Sequence, residues 1–159
     1  MEWQQFFAGL AWVLLSLVML IRPLAQVVRW SGWRSFLRYR RELGVAAGWA
    51  AIIHVFLYVY LAGFDYHFWL GPVWNFNSLL GWGMLALIFM LPPLVCSNCF
   101  SQKVLKRYWK SVQRLSYLTF VFTAVHVSFV PGWFWWGMGP LLVWIVVWVG
   151  AEVKKQLRQ

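Results

Sequence analysis

Two histidines lie inside long apolar stretches of this 159-residue chain, His54 and His126. An ionisable side chain there is expensive to bury, so it either serves a function or hydrogen-bonds a buried neighbour such as a serine or a carbonyl. Two imidazoles facing each other across a helix bundle can also hold a haem iron from both sides. Small residues precede His54 on its own helix face: Ala47, Ala50 and Ala51, with Gly44 and Gly48 at a spacing that lets helices approach. Thr119 and Thr123 precede His126 at helical spacing; their hydroxyls could bond their own helix carbonyls or orient the imidazole. Tyr58, one turn past His54, packs beside a macrocycle or lines the bundle. A zinc or mononuclear iron site is disfavoured, because no carboxylate or thiol lies at that level.

The elements that must carry these residues are membrane helices. The composition is 62% hydrophobic and 11% charged, too apolar for a soluble domain of this size to cover itself. Five apolar runs, at about 3–21, 43–62, 76–95, 112–130 and 134–153, approach the length that crosses a bilayer core. The expected fold is a single all-α integral membrane domain of five transmembrane helices over 1–159. Residues 25–41 are too basic to span, yet carry Val27, Trp30, Trp33 and Leu37 at helical spacing; an inner-surface amphipathic helix is expected there. The N-terminal run lacks the basic flank and small-residue site of a signal peptide.

All 14 Lys and Arg residues fall on one side of this arrangement, in the loops after spans one and three and after span five. The opposite loops hold Glu2 and Asp65. The positive-inside rule puts the basic side in the cytoplasm and the N-terminus outside, in a multi-pass protein of the inner membrane. The net charge of +10 then reads as topology and as contact with anionic lipid headgroups; nucleic acid is not an expected partner. Trp3, Trp69, Trp74, Trp133, Trp135 and Trp136 mark the outer interface, and Trp30, Trp33 and Trp109 the inner one.

This topology matches the two histidines in depth. His54 is eleven residues past the inner edge of its span, ~16–17 Å, and His126 fourteen, ~21 Å. Both therefore sit in the outer half.

The residues also resemble a family. RRELGVAAGWAAIIHVFLYVYL, at 40–61, resembles the RRxLGL…LHxxxY helix of ferric-reductase-like transmembrane domains, and more narrowly of the MsrQ (YedZ) group of haem-b membrane subunits. GMLALIFMLPPLVCSN, at 83–98, resembles that family's GxxAL…LxxTS span, and RYWKSVQRLSYLTFVFTAVHVSF, at 107–129, its WxxLHRLxYxxxxxxxxH span. The likeness runs from about residue 23 to 152. It implies haem ligation by His54 and His126, with Ala50, Ala51, Tyr58 and Thr123 around the ring. Two departures stand out: the family often has one more N-terminal span, and its WxxLHRL histidine falls here on Gln113. At that inner level the second span offers Arg41, so the expectation is one b-type haem near the outer face and none inside.

The implied function is a membrane cytochrome b carrying electrons within a larger redox system, since 159 residues leave no room for an FAD or nicotinamide domain. Electrons would enter from quinol or from a flavin held at the basic surface, and leave to a periplasmic redox protein. Two other readings stay open: an accessory scaffold subunit with haem structural or absent, and a chlorophyll-type pigment held by one histidine. Cys96 and Cys99 read as reduced cysteines, and His67, near Asp65, as an interface histidine that could also tune access to the haem. Arg40, Arg41 and Lys110 could bind lipid headgroups or a flavin phosphate.

Overall fold

A computed structural model describes residues 2–27, 31–63, 71 and 74–156, the first five of 31–63 as backbone alone. His67, Asp65, Trp69, Arg29, Trp30 and Arg158, and the side chains of Trp33 and Arg34, lie outside what is described. Among the described residues every regular element is helical: α1 (Glu2–Val27), α2 (Ser31–Ala62), α3 (Leu79–Val95), the short α4 (Cys99–Leu105), a 3-10 turn (Lys106–Tyr108), α5 (Trp109–Ser128) and α6 (Phe134–Gln156).

Two boundaries differ from the sequence-based expectation. α1 continues through Arg22-Pro23 to Val27, because a proline near a helix end removes a single backbone donor and leaves the turn intact. No separate surface helix covers 31–41; this stretch runs directly into the apolar part of α2 as one 32-residue helix. Its 3.6-residue apolar period is the same whether a helix lies on a surface or extends a span. α2 stops at Ala62, where Gly63 takes a positive φ of 76° that other residues rarely adopt.

The five long helices close into a ring. α1 packs along α2 and α6, α5 along α6 and α3, and a lighter contact between α3 and α2 completes the circuit. Side chains fix the directions. Trp12 Nε1 in the first half of α1 donates to Trp136 O (2.8 Å) near the start of α6, and Lys154 Nζ to Val27 O (2.7 Å) at their ends, so these two are parallel. Arg40 near the start of α2 donates from Nε to Val18 O (3.2 Å) late in α1, which makes α1 and α2 antiparallel. α3 and α5 form an antiparallel hairpin, with Leu79 beside His126 at one end and Pro93 beside Gln113 at the other. The bundle thus has a histidine end and a basic end.

The core lies between α1, α5 and α6: Trp12, Val18, Met19, Phe120 and Ala124 are buried together. Trp12 stacks on Phe120 (centroids 5.4 Å apart), and Trp144 meets Phe120 edge-on. Large apolar side chains instead face outward along α6, among them Trp135, Leu142 and Val146. That inversion suits a lipid surround. By length and composition three helices can cross a membrane, Glu2–Val27, Phe36–Ala62 and Phe134–Gln156. Leu79–Val95 and Cys99–Ser128 meet at 91° and add a fourth crossing if taken as one broken span. The expected five is therefore not reached on these criteria: α3 has 17 residues, and the α4 break separates it from α5.

Candidate functional site

His54 sits late in α2 and His126 late in α5, both half-buried, at the same end of the ring. His54 Nδ1 lies 3.0 Å from Gln4 O in the first turn of α1, and His126 Nδ1 lies 2.6 Å from Leu79 O at the start of α3. A carbonyl oxygen only accepts, so each contact makes Nδ1 the protonated nitrogen. Each ring then keeps its Nε2 lone pair. A backbone carbonyl on the far nitrogen is the usual way a metal-ligating imidazole is oriented.

Reaching a helix carbonyl from the side requires room. The oxygen of residue i already accepts from the N–H of residue i+4, and that residue's side chain crowds the second lone pair. At Leu79 the fourth residue on is Gly83. A Cβ there would fall 2.8 Å from His126 Nδ1 and 2.9 Å from Cε1, inside the ring's own space. At Gln4 the fourth residue on is Ala8, the next smallest choice.

The helices bearing the two histidines do not pack on each other. Among the described residues no Cα of α2 lies within 8 Å of a Cα of α5, whereas directly packed helices run about 8–10 Å apart axis to axis. Both imidazoles nonetheless stand at the same end of the ring, His54 beside the first turn of α1 and His126 beside the start of α3. Two oriented donors on opposite helices, with backbones held apart, suit a flat ring bound through its central metal. Among the described residues no three or more His, Cys, Asp or Glu side chains gather as a metal cluster.

The other expected site residues divide. Ala50 is buried, and Ala51 and Tyr58 are half-buried on the same helix as His54. Gly48 faces α3, where a Cβ would lie 2.7 Å from Leu94 Cδ1, while Gly44 faces Val18 of α1. Thr123 Oγ1 donates to Thr119 O (2.8 Å) and Thr119 Oγ1 to Leu115 O (3.3 Å), so both threonines bond their own helix and the imidazole takes its partner from α3. Sequence reasoning missed Gly83 and the two carbonyls. Gly83, the first residue of the GxxAL-like stretch, was visible; which backbone oxygen an imidazole meets was not.

Comparison with known proteins bears on this arrangement. Residues 7–124 match the family described as ferric reductase like transmembrane component. The chain belongs to this family. It is similar to proteins named protein-methionine-sulfoxide reductase heme-binding subunit MsrQ. The one from Deinococcus radiodurans is 33% identical over 87% of this chain and 66% of its own length. Those from Brucella anthropi and Brucella ovis are each 31% identical, over 62% and 58% of this chain and 46% and 42% of their own lengths. The chain thus spans at most about two thirds of the length of these relatives. No solved structure matches. Several apolar helices in a transmembrane family make this a multi-pass membrane protein.

Within this ferric-reductase-like chain the basic end is built differently from the histidine end. A helix leaves its last four carbonyls without intrahelical partners. In α3 each finds one. Pro92 O accepts from Cys96 N, Leu94 O from Ser97 N, and Val95 O from Asn98 Nδ2. Pro93 O accepts from Ser97 Oγ (2.5 Å) and from Gln113 Nε2 (3.1 Å). Trp109 Nε1 then donates to Cys96 O (3.0 Å), and Arg41 donates from Nε and Nη2 to Ser97 O (3.0 and 2.8 Å). So Gln113 and Arg41, the residues at the inner level, both end on the close of α3. Cys96 is half-buried and Cys99 exposed, both as free thiols, with Arg41 Nη1 4.0 Å from Cys99 Sγ. Lys110 is exposed, and Arg40 turns to α1.

Proposed function

We propose that the protein is a membrane b-type cytochrome subunit, carrying electrons through one haem held between His54 and His126. The observation that carries this reading is the pair of imidazoles with Nδ1 on a carbonyl and Nε2 free, on helices kept apart. Ala50, Ala51, Tyr58 and Thr123 would flank the ring. Bound there, the iron would supply one-electron exchange. The chain's own residues supply orientation and an apolar surround that excludes water. Relatives named as heme-binding subunits support the cofactor, and the same name supports work alongside a protein partner.

The proposal takes five crossings, and the hairpin supports that count. α3 and α5 pack antiparallel along their length, so each traverses the same depth; 17 residues is at the short limit for a ~30 Å core, and 20 is ample. With the basic end in the cytoplasm, the N-terminus lies outside, the C-terminus inside, and the haem towards the periplasmic face of the inner membrane. The acceptor would be a periplasmic redox protein and the donor quinol or a flavin. A single haem is proposed because the basic end offers Gln113 and Arg41, neither a usual haem ligand; Gln113 bonds Pro93 O of α3 and Arg41 bonds Ser97 O just past it.

The test is haem content. Purified protein should show a b-type Soret band and a reduced-minus-oxidised alpha band, and His54→Ala and His126→Ala should each lose haem by pyridine haemochrome assay. Unchanged haem in both variants would remove the ligand assignment. Purified protein without a chromophore would favour a scaffold subunit, and a far-red band a chlorophyll-type pigment.

A further inference from the structure

The basic end holds a cleft that the haem reading does not use. It has a volume of about 830 Å³ and lies between α1, α2, α5 and α6. A smaller hollow of about 500 Å³ shares Arg22 and Arg40 with it. Arg22, Arg40, Lys154 and Lys155 line the cleft, with Glu152 the one carboxylate among them.

The state of each cation matters. Arg40 spends Nε on Val18 O, leaving its two terminal nitrogens, and Lys154 uses one N–H on Val27 O. The latter is an orphan carbonyl at the end of α1. Lys155 sits 3.3 Å from Glu152 on an exposed surface, where such a pair contributes little. Arg22 makes no hydrogen bond or ion pair with the other described residues, although it stands at the cleft with five donors. Four cations against one carboxylate call for an anion. A planar guanidinium fork fits phosphate oxygens well.

The other wall is apolar. Trp144 and Trp148 stack (centroids 6.3 Å apart), and Trp144 also meets Tyr117. A ligand here must therefore present phosphate on one side and hydrocarbon on the other. Basic pockets between membrane helices at their cytoplasmic ends meet that description in the headgroups of anionic lipids. We propose that this cleft binds the phosphate of an anionic phospholipid, with Arg22 and Lys155 as ligands and Trp144 and Trp148 against its upper chains. The sequence suggested lipid contact at Arg40, Arg41 and Lys110; of these Arg40 alone lines the cleft.

The test is lipid binding to the full chain in neutral detergent, read by native mass spectrometry with added phosphatidylglycerol or phosphatidylcholine. Phosphatidylglycerol should bind preferentially. The double variant Arg22→Gln, Lys155→Gln should weaken it about thirtyfold, from roughly 1 kcal/mol per basic residue near the surface. Both residues are exposed, so the fold should survive. Lys103→Gln with Lys110→Gln removes the same charge outside the cleft and should leave binding nearly unchanged. Equal binding of both lipids, or an equal loss in the second variant, would overturn the site. Displacement of phosphatidylglycerol by excess inorganic phosphate would overturn the lipid assignment in favour of a soluble phosphate compound. The haem band, read in parallel, is expected to be unaffected, so this result and the haem ligand assignment stand or fall separately.

Discussion

Gly83→Ala sets two opposed effects against each other, and the geometry decides between them. In a helix interior alanine is favoured over glycine by about 0.5–1 kcal/mol, because glycine loses more backbone freedom on folding. At Gly9, where an added Cβ meets nothing within 4 Å, that gain should appear in full. At Gly83 the same methyl would stand 2.8 Å from His126 Nδ1. The ring must retreat by about 0.6 Å to reach ordinary contact. The 2.6 Å bond to Leu79 O would then stretch to about 3.2 Å, the weak limit for N–H···O. Losing it leaves a partly buried donor unpaired, at a cost of about 1–3 kcal/mol. The clash should therefore win by roughly 1 kcal/mol.

The consequence for the cofactor should be larger than for the fold, since a ligand displaced by half an ångström no longer points its Nε2 at the same place. The assay is paired: thermal unfolding and haem-to-protein ratio for Gly83→Ala and Gly9→Ala, purified side by side. The expected pattern is a stabilised Gly9→Ala with full haem and a destabilised, haem-poor Gly83→Ala. If Gly83→Ala gains stability like the control and keeps its haem, the carbonyl-oriented imidazole is not what holds the site.

Two further substitutions probe the rest of the ring. Gln113→Leu removes one of two donors to Pro93 O; the Ser97 hydroxyl remains, so the loss should be about 1 kcal/mol with haem content unchanged. A fall in haem would put Gln113 in the cofactor site after all. Trp12→Phe keeps an aromatic ring against Phe120 but deletes the bond to Trp136 O, and should lower stability by about 1 kcal/mol in a denaturation series; no change would mean that this bond does not tie α1 to α6.

The helical class and the sorting of charge to one end were legible in the sequence, because both follow from residue type summed over long windows. His54 and His126 stood out for the same reason: an imidazole among Val, Phe and Ala is rare. The motifs at 40–61 and 107–129 carried the family, which the match over residues 7–124 bears out. What was not legible lies in the backbone. The pattern at 31–41 could not say whether the helix stops or continues, since α2 tolerates Gly32. The apolar run at 76–95 marked a span but not how the carbonyls at its end would be met. Thr123 was a fair candidate to orient His126; the choice fell to Leu79, 47 residues away, for lack of a side chain at Gly83.

The contrast between the two ends follows from one chemical difference. At both, a polar side chain from α5 reaches across to a carbonyl of α3: His126 to Leu79 at one end, Gln113 to Pro93 at the other. An imidazole that donates from Nδ1 still has a second nitrogen with a lone pair, about the right distance away to serve a metal on the opposite side of the ring. A carboxamide that donates from Nε2 retains only a carbonyl oxygen, a weak partner for haem iron. The same strut therefore leaves an imidazole nitrogen available at one end and only a carboxamide oxygen at the other. Arg41, bonded through two nitrogens to Ser97 O, adds a fixed positive charge beside that second strut, which opposes a ferric centre there. With glutamine at position 113 the interhelical bond to Pro93 O is made without an imidazole, so on the proposed reading the hairpin that positions His126 stays fastened while the basic end carries no haem ligand.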